Sequence, residues 1–258
     1  MRIGLLQLAV THRAPDQNRA RAETELARAA RQSAQVVLLP ELWVTGYDFP
    51  ASLRWATGLD EGPFAWMAAW ARTFGIWVGG SHLERTPDGV YNTFALYSPT
   101  GLAGVYRKRH LFGPLAEPRW LRAGREPALV PTPWGPVGLA ICYDLRFPEL
   151  FRWYARAGAW AVWLIAAWPQ RRLAHWRALL QARAIENQYF VVGLNRVGMD
   201  VPAVFGGESR IVDPWGETLA RGPIAQPARW VHELTPARVL EARREFASAL
   251  EPDPGPAY

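Results

Sequence analysis

The chain has 258 residues, half of them hydrophobic, with 29 lysines and arginines against 23 acidic residues, a formal charge of +6. A chain of this size and apolarity buries a sizeable core, which excludes disorder for most of it and points to one large domain or two small ones. A single cysteine excludes an internal disulfide and a multi-cysteine zinc site, and no apolar run reaches the roughly 18 residues of a membrane span.

Met1–Val10 is short and is met at once by Thr11-His12-Arg13, unlike a signal peptide, so a soluble cytoplasmic protein is expected. The arginines are scattered and make no nucleic-acid stripe; their densest groups are Arg107-Lys108-Arg109-His110 and Arg171-Arg172.

In chain order, Ile3–Ala9 reads as a buried strand, and Asp16–Ser33 as a helix with Ala22, Leu26 and Ala30 on one face. Val36–Leu39 is a strand ended by Pro40, Pro63–Phe74 a helix, and Ile76–Ser81 a strand. Tyr91–Tyr97 and Leu102–Tyr106 flank Ser98-Pro99-Thr100-Gly101 as a hairpin, and Ala128–Pro131 and Pro136–Ile141 bracket a second turn. Pro148–Ala157 is a helix with proline in its first turn and Gly158 after its end. Trp160–Ala166 is a strand, Leu173–Asn187 a helix, and Tyr189–Leu194 a strand. Strands at Glu208–Val212, Thr218–Ala220 and Arg229–Glu233 and a helix at Pro236–Phe246 follow, before a Pro-rich tail at 248–258. This is an α/β order, with a mixed sheet or two sheets shielded by helices on their outer faces, in one domain over 1–247.

The 29 basic residues are 28 arginines and one lysine, Lys108. An ammonium is a compact charge on a flexible stem and a guanidinium is not, so a sole lysine stands out. Cys142 closes the run Val137–Ile141 just before a turn and a helix. A lone cysteine also behaves as a small buried hydrophobe. At the carboxyl end of a strand, however, it stands where α/β sheets bind ligands, and the Tyr143 N–H beside it can face an oxyanion. Glu41 follows Val36–Pro40 and Lys108 follows Leu102–Tyr106 in the same way; each is otherwise a solvated turn residue. Taken together, the only cysteine, the only lysine and a glutamate at three strand ends suggest one cleft. There Glu41 supplies a base and Lys108 a positive charge to a thiol that needs both help and proximity to react at neutral pH.

Three segments carry a further signal. Pro40-Glu41 with Thr45-Gly46-Tyr47, Tyr106–Phe112, and Ile141–Glu149 resemble the signature segments of the nitrilase superfamily, the carbon–nitrogen hydrolases with a Glu–Lys–Cys triad. The resemblance runs from Ile3 to about Phe246 and includes His175-Trp176, Ala182–Gln188 and Val212–Gly216. It implies a four-layer αββα sandwich that pairs into homodimers, with no metal or organic cofactor. It implies Cys142 as nucleophile, Glu41 as general base, Lys108 as stabiliser of the tetrahedral intermediate, and Glu117 as a second glutamate that positions substrate or water.

The Cys-Tyr-Asp-Leu-Arg-Phe-Pro-Glu segment and the Trp168-Pro169 loop resemble the omega-amidase branch, which hydrolyses the terminal amide of 2-oxo acids such as 2-oxoglutaramate and 2-oxosuccinamate through a thioester. A deaminated-glutathione amidase and a nitrilase are the alternatives. Such substrates carry a carboxylate opposite the amide. Arg172 or Arg171 can clamp it, with Arg146 a third candidate that can instead brace the nucleophile turn. Tyr47, Phe112 and Trp168 are expected as pocket walls.

Overall fold

The structure, a computed structural model, describes residues 1–200, 203–246 and 251. Apart from Glu251, the expected tail lies outside the described residues. Two six-stranded mixed sheets stack face to face. The first contains β1 (Arg2–Gln7), β2 (Val36–Leu38), β3 (Trp77–Thr86), β4 (Gly89–Ser98), β5 (Gly101–Arg107) and, far along the chain, β14 (Ala228–Glu233), in the order β14-β1-β2-β3-β4-β5. The second contains β6 (Leu129–Val130), β7 (Val137–Ile141), β8 (Ala161–Ala166), β9 (Phe190–Asn195), β12 (Arg210–Val212) and β13 (Thr218–Arg221), in the order β13-β12-β9-β8-β7-β6. In each, three parallel strands form the centre and antiparallel strands the flanks.

The period-2 pattern explains the layering. Ile3 and Leu5, with Val36 and Leu38, turn inward onto the second sheet, while Leu6, Val37 and Leu39 turn outward. The outward set is covered by α1 (Pro15–Arg31) and α3 (Gly62–Phe74) through Ala22, Leu26, Phe64 and Met67. Helices α5 (Pro148–Arg156) and α6 (Leu173–Asn187) cover the other sheet. Gly138 and Gly193 permit their close approach, because an added Cβ would sit 2.6 Å from the Tyr154 ring and 2.8 Å from Leu180. The result is an αββα sandwich.

Three features depart from the expected elements. The Ile76–Ser81 strand runs on to Thr86 and pairs with β4 around Pro87-Asp88, and a two-stranded hairpin, β10 (Val197–Asp200) with β11 (Ala203–Gly206), bridges to Ala9 just after β1 and to Pro169 just after β8. Two four-residue helices, α2 (Phe49–Ser52) and α4 (Glu117–Trp120), occupy stretches to which the sequence assigned no element. The last helix, α7, spans Ala237–Glu245.

One buried group makes the fold acid-sensitive. His82 on β3 is fully buried, with Nε2 2.8 Å from the Trp55 carbonyl and Nδ1 without a partner. Burial pushes its pKa down to about 4, against the opposing pull of that carbonyl. An unfolded histidine titrates near 6.5. Between about 6.5 and 4 the unfolded chain therefore takes up a proton that the folded chain refuses, and stability falls as pH falls. The expected loss over that window is about 3 kcal/mol. Urea denaturation at several pH values should show it, and His82→Leu should remove it; an unchanged slope in that variant would assign the loss elsewhere.

Candidate active site

Three strand ends meet at one end of the sandwich. After β2, Pro40 cannot continue the ladder, and the chain turns through Glu41 and Leu42, the latter at φ +46° with its N–H on Ser81 Oγ at 3.0 Å. Lys108 follows β5 and is gripped through its backbone: its N–H donates to Asn92 O (2.9 Å) and its carbonyl accepts from Gly124 N (2.8 Å). Only glycine fits at 124, where a Cβ would lie 2.1 Å from the Arg107 carbonyl oxygen.

Cys142 follows β7 at φ +47°, a left-handed conformation that costs energy for a residue other than glycine. The turn around it is pinned by buried Asp144, which accepts from Ile141 N (3.0 Å), Tyr106 Oη (2.8 Å) and His110 N (3.0 Å). The His110 ring, 2.7 Å from the same carboxylate, stacks on Phe147 with centroids 3.6 Å apart.

These turns bring Glu41, Lys108 and Glu117 together with no solvent exposure, beside Cys142. Lys108 Nζ donates to Glu41 Oε1 (2.8 Å) and to Glu117 Oε1 (2.7 Å). Glu41 Oε1 also accepts from Asn92 Nδ2 (2.8 Å), and Glu41 Oε2 from Ala167 N (2.8 Å) at the end of β8. Glu117 Oε2 accepts from Phe112 N (2.6 Å). The Tyr47 hydroxyl lies between the two carboxylates, 2.7 Å from Glu41 and 2.8 Å from Glu117.

Cys142 Sγ is 3.8 Å from the Ala167 carbonyl. Burial first, then the Glu41 charge, pushes the thiol's pKa well up, with Lys108 pulling the other way. Burial thus favours the thiol over the thiolate, and attack by this sulfur would call for a base beside it. Burial works against the Lys108 ammonium, but Glu117 and Glu41 outweigh it and hold its pKa above the ordinary lysine range.

A narrow cleft opens onto Cys142, lined by Phe112, Tyr143, Arg146, Trp168, Pro169 and Arg172. Five of the six residues expected to contact substrate thus surround the thiol. Tyr47 does not: it stands behind the cleft with its hydroxyl on the two glutamates. Arg171 is exposed and lines an adjoining outer groove with Pro114, Leu115 and Gln170. Arg146 makes no ion pair with the turn around Cys142. It bonds His175 Nδ1 (3.1 Å) and lies 4.9 Å over the Trp168 ring, while Arg183 holds the turn through Leu145 O (3.0 Å).

The profile of the carbon–nitrogen hydrolase family matches residues 2–244. The chain belongs to that family. Among relatives, this carbon–nitrogen hydrolase is 38% identical over 222 residues to the 2-oxoglutaramate amidase of Bacillus subtilis, covering 85% of each chain. It is 36% identical to the omega-amidase YafV of Escherichia coli over 84% of each. A solved structure, the CN-hydrolase superfamily protein XC1258 from Xanthomonas campestris with an arsenic adduct in its active site, superposes with a TM-score of 0.90 at 31% identity, covering 98% of this chain and 97% of that one.

Sequence reading missed two polar partners of the site. Asn92 sits on β4 as one more alternating strand residue, and nothing in its neighbourhood signals a contact with Glu41. Asp144 was visible only as part of a motif, without its role in pinning the turn around Cys142.

Proposed function

We propose that this chain is an amidase that hydrolyses the terminal amide of small 2-oxo acid amides, such as 2-oxoglutaramate and 2-oxosuccinamate, to the acid and ammonia. As the Cys142 sulfur bonds to the amide carbon, its proton passes to Glu41 and the carbonyl electron pair moves onto oxygen. The Tyr143 N–H, at the start of a short helical turn and so without an intrahelical acceptor, and the Lys108 ammonium donate to that oxygen. Glu41 then gives its proton to the nitrogen, the C–N bond breaks, ammonia leaves, and a thioester remains. Water loses a proton to Glu41 and attacks the thioester carbon; the sulfur departs and takes the proton back.

The observation that carries the substrate class is at the cleft mouth. Arg172, its guanidinium 5.3 Å over the Phe112 ring, has a buried Nη1 with no partner. Burial, then neighbouring Arg171 and Arg146, pull its pKa down, so an anion there relieves both an unpaired donor and a crowding of like charge. The carboxylate of a 2-oxo acid amide is such an anion, on the side of the substrate away from the sulfur. The names of the Bacillus and Escherichia relatives agree with this class.

Ammonia release from 2-oxoglutaramate, 2-oxosuccinamate, deaminated glutathione, glutamine, asparagine and a simple nitrile tests the reading, with the two 2-oxo acid amides expected to lead. Arg172→Leu should lower kcat/KM for 2-oxoglutaramate by about 10- to 100-fold, the worth of one hydrogen bond to a charged group, chiefly through KM. An uncharged amide of the same length should be nearly unaffected. Equal losses on both, or preference for the nitrile, would overturn the assignment.

The same reading includes a cytoplasmic homodimer paired through the α5–α6 layer. Half-exposed Trp153 and Ile185 on those helices support the pairing, and sedimentation measures it.

A further inference from the structure

The Tyr47 hydroxyl has one proton and two short contacts. Its oxygen lies 2.7 Å from Glu41 Oε1 and 2.8 Å from Glu117 Oε1. If both glutamates were ionised, one contact would press lone pair against lone pair at hydrogen-bond distance. The fully buried chamber would then also hold two anions against the single Lys108 cation. Uncompensated charge with no solvent exposure is expensive, and one carboxyl protonating removes both problems at once.

We propose that Glu41 and Glu117 hold one proton between them through Tyr47 in the resting enzyme, and that the proton resides on Glu117. Tyr47 then donates to Glu41 and accepts from Glu117. The donors around each carboxyl decide the side. Glu41 accepts from Lys108, Asn92 and the Ala167 N–H, a setting that suits an ionised carboxylate. Glu117 accepts only from Lys108 and the Phe112 N–H, leaving Oε1 room for a proton aimed at Tyr47. Burial and the Glu41 charge also raise the Glu117 pKa, with Lys108 opposing.

The arrangement has a catalytic consequence, which rests on the amidase reading above. With Glu117 neutral, the chamber is balanced before Cys142 gives its proton to Glu41 and balanced after it. An ionised Glu117 would leave the nascent thiolate facing an extra negative charge. Tyr47 is thus a positioning residue for the base, not a wall of the substrate cleft.

Neutron diffraction from perdeuterated crystals at neutral pH tests this without turnover. A deuteron on Glu117 Oε1 directed at Tyr47, with the Tyr47 deuteron directed at Glu41, is expected. Deuterons on neither carboxyl, or on Glu41 alone, would overturn it. In solution, infrared spectra of enzyme with 13C-labelled glutamate should show a protonated carboxyl band at pH 8, far above the ordinary glutamate pKa of about 4.3. The band should vanish in Glu117→Gln; its absence from the unaltered enzyme would also refute the shared proton. A chain that showed the band yet released no ammonia from the panel would refute the amidase reading and leave the shared proton standing.

Discussion

Cys142→Ala is expected to release no measurable ammonia from any amide, a fall in kcat on the order of 10^6-fold, the scale seen when a covalent nucleophile is removed. The fold should survive. Only the sulfur is lost, with its weak contact to the Ala167 carbonyl at 3.8 Å and its contact to the Glu41 carboxyl, and alanine meets the same left-handed backbone that Cys142 already tolerates. Substrate binding should survive too, because the cleft walls and Arg172 are untouched. Calorimetric titration of the variant with 2-oxoglutaramate, beside an ammonia assay, separates the two. A variant that kept its turnover would place the nucleophile elsewhere, and one that lost both binding and its unfolding transition would show that the thiol is structural.

Lys108→Met should damage stability and activity together. The ammonium is fully buried and lies 2.8 Å and 2.7 Å from two carboxylate oxygens. Breaking a buried ion pair by removing one partner costs about 3–5 kcal/mol, because the remaining charge is left without compensation. Loss of one donor to the developing oxyanion removes about 10^2- to 10^3-fold from kcat.

The pH dependence of that deficit follows from its cause. Without the cation, the Glu41–Glu117 pair binds protons more tightly in the folded chain than in the unfolded one. The folded state is then favoured as pH falls, so the deficit shrinks toward acid and is largest above neutrality. Urea denaturation of both proteins at pH 5 and pH 8 checks this, and equal deficits would contradict it. Lys108→Arg should also be poorly active, since a planar fork is longer and cannot place one compact charge between two oxygens.

The candidate catalytic groups that were legible in the sequence share a reason. Glu41, Lys108 and Cys142 each follow a strand, so their strand-end places were readable from the chain pattern, the scarcity of lysine and cysteine draws attention to two of them, and the family resemblance joins all three. Tyr47 was visible as an aromatic near Glu41, but its direction depends on how the turn after Gly46 folds against Asp200, whose carboxylate accepts the Tyr47 N–H at 2.8 Å from 153 positions away. Glu117 lies on α4, a helix of only four residues with a proline at its second position, too short to leave a periodic trace.

The extension of β3 and β4 did leave a signal. Thr86-Pro87-Asp88-Gly89 contains the Pro-Asp-Gly turn chemistry of a tight reversal. The β10–β11 hairpin left little, because Val197-Gly198-Met199-Asp200 is only four residues long and is interrupted by a glycine.

Glu41 is held from two directions: Asn92 belongs to one sheet, and the Ala167 amide extends a strand of the other. Glu41 is therefore a gauge of how the halves of the sandwich are aligned. A core substitution that slides one sheet past the other by a fraction of an ångström would detune the carboxylate while leaving helices, strands and melting behaviour almost as they were. Tolerance to change in this interior is accordingly set by chemistry at its rim, more strictly than by packing.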